Sequence, residues 1–181
     1  MHMLIRPEEL PDLLDRVPFR VTALSLDCFD TLLWRAPNGG SGEPAIDQDL
    51  ACGIGRRFAF APAVQLIRAA KYRGLTVVLV SDMLLSEAQL RALVAQVAGS
   101  DVVALIDHIV TAGDQGRDKS TGLFDDVLAR IDAWPAQVAH VGDDQGTDYD
   151  AAIDRGMHAF RLVREEPVGQ ARSRVAAVAA R

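Results

Sequence analysis

Residues 21–33 read VTALSLDCFDTLL. Residues 21–26 are apolar and partly β-branched, which predicts a buried strand, and the run breaks off at Asp27 into a polar turn. The same grammar recurs downstream. Residues 76–80, TVVLV, predict a second buried strand, followed by Ser81 and Asp82. Residues 108–111 (HIVT), 138–141 (VAHV) and 158–162 (HAFRL) predict three more. Stretches with helical spacing lie between them. Val64, Ile67 and Ala70 share a face over 61–73, which Gly74 closes; Leu90, Leu93, Val94 and Val97 share another, behind Ser86 as N-cap. Leu123, Phe124, Val127, Leu128 and Ile131 mark a third. Short helices are expected over 7–17 and from about Asp148, and an alanine-rich one over 170–180. Strands alternating with helices predict an α/β fold: a doubly wound, mostly parallel, Rossmann-like sheet with helices on both faces. Ligands of such sheets bind beyond the C-terminal ends of the strands.

The chain has 181 residues, 49% of them hydrophobic, which suits a single domain over 1–181 with a real core. Its net charge is −6 and only 6% of residues are aromatic, so no nucleic-acid partner is expected. No apolar run reaches the roughly 18–20 residues that span a bilayer, and the first residues lack the apolar stretch of a signal peptide. Cys28 and Cys52 do not make a disulfide framework. A cytoplasmic protein with no membrane contact is the expectation, and its last helix either packs on the domain or serves a homodimer. Of the 19 basic residues only Lys71 and Lys119 are lysines, in a chain otherwise committed to arginine.

The predicted strand ends carry a particular set of groups. Asp27 follows the first strand, Ser81 and Asp82 the second, and Asp143 and Asp144 the strand at 138–141, with Asp148 four residues on. Lys119, before Ser120, Thr121 and Gly122, precedes the third long helix. Taken singly, each is an ordinary turn former, cap or surface charge. Together, at the switches from strand to loop, they form a phosphoryl-transfer constellation. Asp27 is placed to attack phosphorus and form an aspartyl-phosphate. Ser81, Asp82 and the amides that follow are placed to hold phosphate oxygens, and Lys119 to neutralise charge that develops in the transition state. The carboxylates of Asp27, Asp30, Asp82, Asp143, Asp144 and Asp148 cannot all stay ionised around one lysine, which argues for a bound Mg2+.

The order and spacing of these residues resemble the haloacid dehalogenase-like hydrolase superfamily, most of whose members are phosphatases. The resemblance runs from the strand before Asp27 to the strand after Met157. It rests on Asp27 with Thr31 four residues on, Ser81 at the end of an apolar strand, Lys119, and the string GDDQGTD with Asp143 and Asp148. The strings LDCFDTLLWR and LVSDMLLS are similar to a bacterial subgroup sometimes attached to glycan-synthesis proteins. The resemblance implies that Asp27 is nucleophile and Mg2+ ligand, with Asp143 and the backbone carbonyl of Phe29 as further ligands. It also implies that Asp148 orients Lys119 or a metal-bound water.

Phosphatases of this superfamily carry a second Asp two residues after the nucleophile, which protonates the leaving group. Here Phe29 holds that position. General acid–base help is worth about 10²–10⁴-fold in rate. Asp30 is the nearest substitute acid, although a shift of one residue in an extended segment turns a side chain elsewhere, and a bend of the loop would be needed to bring Asp30 or Asp82 round. Three readings stay open: a Mg2+-dependent phosphohydrolase or phosphotransferase, a binding or regulatory module that kept the fold without efficient turnover, and a dehalogenase. The acid-rich string at 142–148 disfavours the last, since carboxylates repel a halide and a carboxylate substrate. Residues 34–60, rich in Gly and Pro, suffice for a short cap-like flap with at most a small helix around 47–57. So small a cap leaves three arrangements open: a large phosphorylated partner such as a glycan or a protein, a second subunit acting as lid, or a flap that folds over and closes the site by itself. His140 and His158 fall in strand patterns and read as core or edge residues; no zinc spacing exists.

Overall fold

The structure, a computed structural model, describes residues 3–35 and 56–163. Six strands form one parallel sheet. In chain order they are β1 (Leu4–Ile5), β2 (Ala23–Asp27), β5 (Thr76–Ser81), β6 (His108–Thr111), β7 (Val138–Gly142) and β8 (His158–Leu162), and across the sheet they run β1-β8-β7-β2-β5-β6. A separate antiparallel pair, β3 (Leu33–Arg35) and β4 (Arg57–Ala59), closes the base of the segment expected to be a flap. The rest of that segment, 36–55, and the expected helix over 170–180 lie outside the described residues.

The centre of the sheet is apolar on both faces because it is covered on both. Leu24 and Leu26 of β2, Val77 and Leu79 of β5, and Ala139 and Val141 of β7 point into one core. That core is roofed by α1 (Ala61–Tyr72), α2 (Glu87–Ala98) and the 3-10 helix Pro7–Asp15. The alternate residues point the other way, against α5 (Leu123–Ile131) and α6 (Ala151–Asp154). The segment 7–15 winds as a 3-10 helix with Pro11 in its middle, whose ring crowds the preceding turn and so disfavours a regular α-helix there. Gly74 ends α1 with φ of +76°, a conformation that costs glycine little. Ser86 caps α2, accepting from the Gln89 N–H at 3.3 Å, while the Gln89 side chain accepts from the Ser86 N–H at 2.9 Å.

The long helices and central strands agree with the expected doubly wound arrangement to within a residue or two. Several short elements were not anticipated, among them β1, β3, β4, α3 (Ser100–Val103) and α4 (Ala112–Gln115). Each is too short for a hydrophobic period to emerge. Among the described residues no helix is long and apolar enough to cross a membrane.

Candidate active site

β2 lies between β5 and β7, so Asp27, Ser81 and Asp143 emerge side by side at the C-terminal edge of the sheet. They line one cavity of about 270 Å3 with Phe29, Asp82, Lys119, Asp144 and Asp148. The loop from Arg117 to Gly122 reaches this edge because the Asp82 carboxylate accepts the Lys119 backbone N–H at 2.8 Å. Residues distant in sequence thus converge as expected.

Lys119 is only 2% exposed, yet its ammonium is fully engaged. It donates to Asp27 Oδ1 at 2.6 Å and to Asp148 Oδ1, and stands 3.7 Å from Asp82 Oδ2. Burial alone would lower the lysine's pKa; the charges of Asp27, Asp148 and Asp82 outweigh it and hold the group protonated. Asp148 stays ionised despite burial, because His140, Lys119 and the Asp144 N–H (3.0 Å) all donate to it. Asp27 goes the other way. Desolvation pushes its carboxyl well above the ordinary value, and Lys119 offsets this only in part.

Behind the lysine lies a chain of polar contacts that sequence reading missed. Ser25 Oγ meets His140 Nδ1 at 2.9 Å, and His140 Nε2 meets Asp148 Oδ1 at 3.2 Å. Ser25 and His140 are direct partners in the β2–β7 ladder and are both fully buried. Burial lowers the His140 pKa, so the ring is neutral at neutral pH. The strand pattern predicts a core or edge residue at His140, and it lies in the core, in an edge-to-face contact with Phe124 at 4.7 Å between ring centres. The available signal was its alternation: Ser25 lies two residues before Asp27, on the same face of the strand.

Gly142 makes room for this arrangement. A methyl group built on its Cα would overlap the Asp148 side chain. Gly142→Ala is therefore expected to lose about 1–3 kcal/mol of stability, the range for forced overpacking, read as a lowered midpoint in thermal denaturation. Asp148 sits in a π-helical turn, Gln145–Asp150, whose start is capped by Asp144 accepting from the Gly146 and Thr147 N–H groups, both at 2.8 Å.

After Asp27 the chain does not continue extended. Leu32 and Leu33 both donate to the Cys28 carbonyl, and Asp30 takes φ of +61° in the turn. Phe29 stays on the cavity wall. Asp30 does not line the cavity: it pairs with Arg57 at 3.1 Å, and the same guanidinium lies 4.9 Å from the centre of the Phe29 ring. The residue expected as substitute acid is thus turned toward β4. Ser81 Oγ accepts the Met83 N–H at 3.3 Å, and a loop separates Ser81 from the start of α2. The Thr31 hydroxyl is buried with no hydrogen-bond partner among the described residues.

Carboxylate oxygens of Asp27, Asp143 and Asp148 lie within 4.8 Å of one another. These are hard oxygen donors that converge on one point, so the donor set fits a small divalent cation such as Mg2+.

The chain is similar in fold to solved structures across most of its length. A haloacid dehalogenase-like family hydrolase from Brucella suis matches over 90% of this chain and 93% of its own, with a TM-score of 0.60 at 11% identity. A protein described as a predicted phosphoglycolate phosphatase from Haemophilus somnus matches over 84% and 91%, with a TM-score of 0.58 at 13% identity. An uncharacterized protein from Listeria monocytogenes matches over 82% and 85%, with a TM-score of 0.60 at 16% identity. The fold is that of the haloacid dehalogenase-like hydrolases. No protein-family model and no curated protein sequence matches the chain. At such low identities the likeness is one of haloacid dehalogenase-like architecture alone.

Proposed function

We propose that this protein is a member of the haloacid dehalogenase-like superfamily that hydrolyses or transfers a phosphoryl group through an aspartyl-phosphate on Asp27. The observation that carries the reading is the buried Lys119 ammonium, shared between Asp27 at 2.6 Å and Asp148 at the C-terminal edge of the sheet. A buried carboxylate held by a buried lysine, with a serine hydroxyl on the next strand, suits attack on a phosphate ester. Asp27 provides the attacking oxygen. Lys119 neutralises charge on the phosphoryl group without reorganising, because Asp148 and His140 already fix its position. Ser81 and the loop amides after it hold phosphoryl oxygens. Asp27, Asp143 and the Phe29 carbonyl would hold Mg2+, which when bound supplies Lewis-acid neutralisation of the phosphoryl oxygens. A large phosphorylated partner, a glycan or a protein, remains part of this reading.

Phosphate release from p-nitrophenyl phosphate and from acetyl phosphate, with and without Mg2+, tests it. Both compounds have good leaving groups and need no strong acid. Release that requires Mg2+ is the expected result. No release from either compound by folded, Mg2+-binding protein would instead support the binding-module reading.

A further inference from the structure

We propose that Asp82 supplies the proton to the leaving group, in the role for which Phe29 has no chemistry. This rests on the phosphatase reading and assigns it a residue on a different strand. The cavity is lined by five carboxylates, and four are committed elsewhere. Asp27 is the attacking group. Asp148 accepts from Lys119, His140 and the Asp144 N–H. Asp144 Oδ1 accepts from the Gly146 and Thr147 N–H groups and from the Thr147 hydroxyl at 3.1 Å, contacts that pull its pKa down and forbid protonation near neutrality. Asp143 belongs with Asp27 to the oxygen cluster that fits a cation.

Asp82 is different in both anchoring and environment. One oxygen, Oδ1, is fixed by the Lys119 backbone N–H at 2.8 Å. The other, Oδ2, is 3.7 Å from Lys119 Nζ, beyond hydrogen-bond distance, and the side chain is 29% exposed in a residue that lines the cavity. The carboxyl is thereby held in place while one oxygen is left to carry a proton. Burial raises its pKa, against the opposing pull of Lys119 and in the same sense as the negative charges of Asp148 and Asp118. Lys119, Asp148 and Asp118 are the charged groups with the largest effect on it. Asp82 follows Ser81 directly, so the donor sits beside the group that holds the phosphoryl oxygens.

The step balances as follows. An Asp27 oxygen forms a bond to phosphorus as the bond from phosphorus to the ester oxygen breaks. The electron pair leaves with that oxygen, which takes the proton from Asp82 and departs as a neutral alcohol. The Asp82 carboxylate then takes a proton from the water that attacks the phosphorus of the acyl phosphate. The bond between phosphorus and the Asp27 oxygen breaks with its electron pair left on the carboxylate, inorganic phosphate leaves, and Asp27 and Asp82 return to their starting states.

The test compares two substrates of the same shape, p-nitrophenyl phosphate and phenyl phosphate. The first leaves readily as its anion; the second leaves as a phenol with a pKa of about 10 and needs the acid. Asp82→Asn keeps the acceptor for the Lys119 N–H but has no proton to give. The substitution is expected to lower kcat/KM for phenyl phosphate by about 10²-fold or more beyond whatever it does to p-nitrophenyl phosphate. The wild type is expected to lose phenyl phosphate activity as pH rises and Asp82 ionises, and the substitution should remove that fall. Equal losses on both substrates would overturn the proposal and leave Asp82 as a support for the Lys119 loop. A second arm needs no variant: across aryl phosphates of graded acidity, the wild-type rate should depend only weakly on the leaving group, and a steep dependence would also overturn it. If the wild type releases nothing from p-nitrophenyl phosphate, the phosphatase reading itself has failed, an outcome distinct from either of these.

Discussion

Asp27→Asn is expected to abolish phosphate release, by about 10⁴-fold or more, and at the same time to make the protein more stable. The activity loss follows from removing the attacking oxygen. The stability gain follows from the carboxyl's environment. Burial raises the Asp27 pKa well above its ordinary value, more than Lys119 lowers it, so the folded chain binds that proton more tightly than the unfolded chain does. The contribution of such a group is fully present below the unfolded value, near pH 4, and is lost as pH rises through the folded one. At neutral pH the wild type carries that penalty and the Asn variant does not. A gain of about 1 kcal/mol, the usual scale for relieving strain at an active site, raises the thermal midpoint by about 2–4 °C in a chain of this size. Calorimetry in the presence of a chelator should show that gap at pH 7 and show it narrowing as pH falls toward 4. A variant less stable than the wild type at pH 7 would mean that the Lys119–Asp27 contact dominates the local energetics.

Lys119→Met has the larger effect on stability and the opposite sign. It removes the buried cation and leaves Asp27 and Asp148 facing one another with no cation between them. Breaking a buried pair from one side costs about 3–5 kcal/mol, or about 10 °C in the thermal midpoint, and phosphate release should vanish as well. The loss should be partly repaired in the double variant Asp27→Asn with Lys119→Met, because the uncompensated charge is then smaller. The two substitutions share one network, so their effects should not add. Additive effects would mean that the lysine is held by packing rather than by its carboxylates.

Much of this arrangement was legible in the chain. The strands at 76–81, 108–111, 138–142 and 158–162 are long enough, and apolar enough, for their pattern to fix both their type and their polar ends. Because a parallel sheet brings all its C-terminal ends to one edge, knowing that Asp27, Ser81 and Asp143 end strands was nearly enough to place them together. The scarcity of lysine pointed to Lys119, but it pointed equally to Lys71, which makes a half-exposed ion pair with Asp107 at 2.7 Å. The path of the chain after Asp27 was not legible. Whether Asp30 reaches the cavity depends on a left-handed turn and on Arg57, 27 residues away. The roles of Ser25 and His140 depend on the register between β2 and β7, which pairs them across the sheet. Cross-strand register is a tertiary property, and a single polar residue within an apolar run does not announce its partner.

The central claim is that a phosphoryl group rests covalently on Asp27. Intact-protein and peptide mass spectrometry after acid quench of the protein turning over acetyl phosphate with Mg2+ tests it most directly. The expected result is the added mass of one phosphoryl group on the peptide that contains Asp27, present during turnover, gone when substrate is exhausted, and absent in Asp27→Asn. Phosphate release that continues in Asp27→Asn, with no adduct on the wild type at any time, would contradict the account.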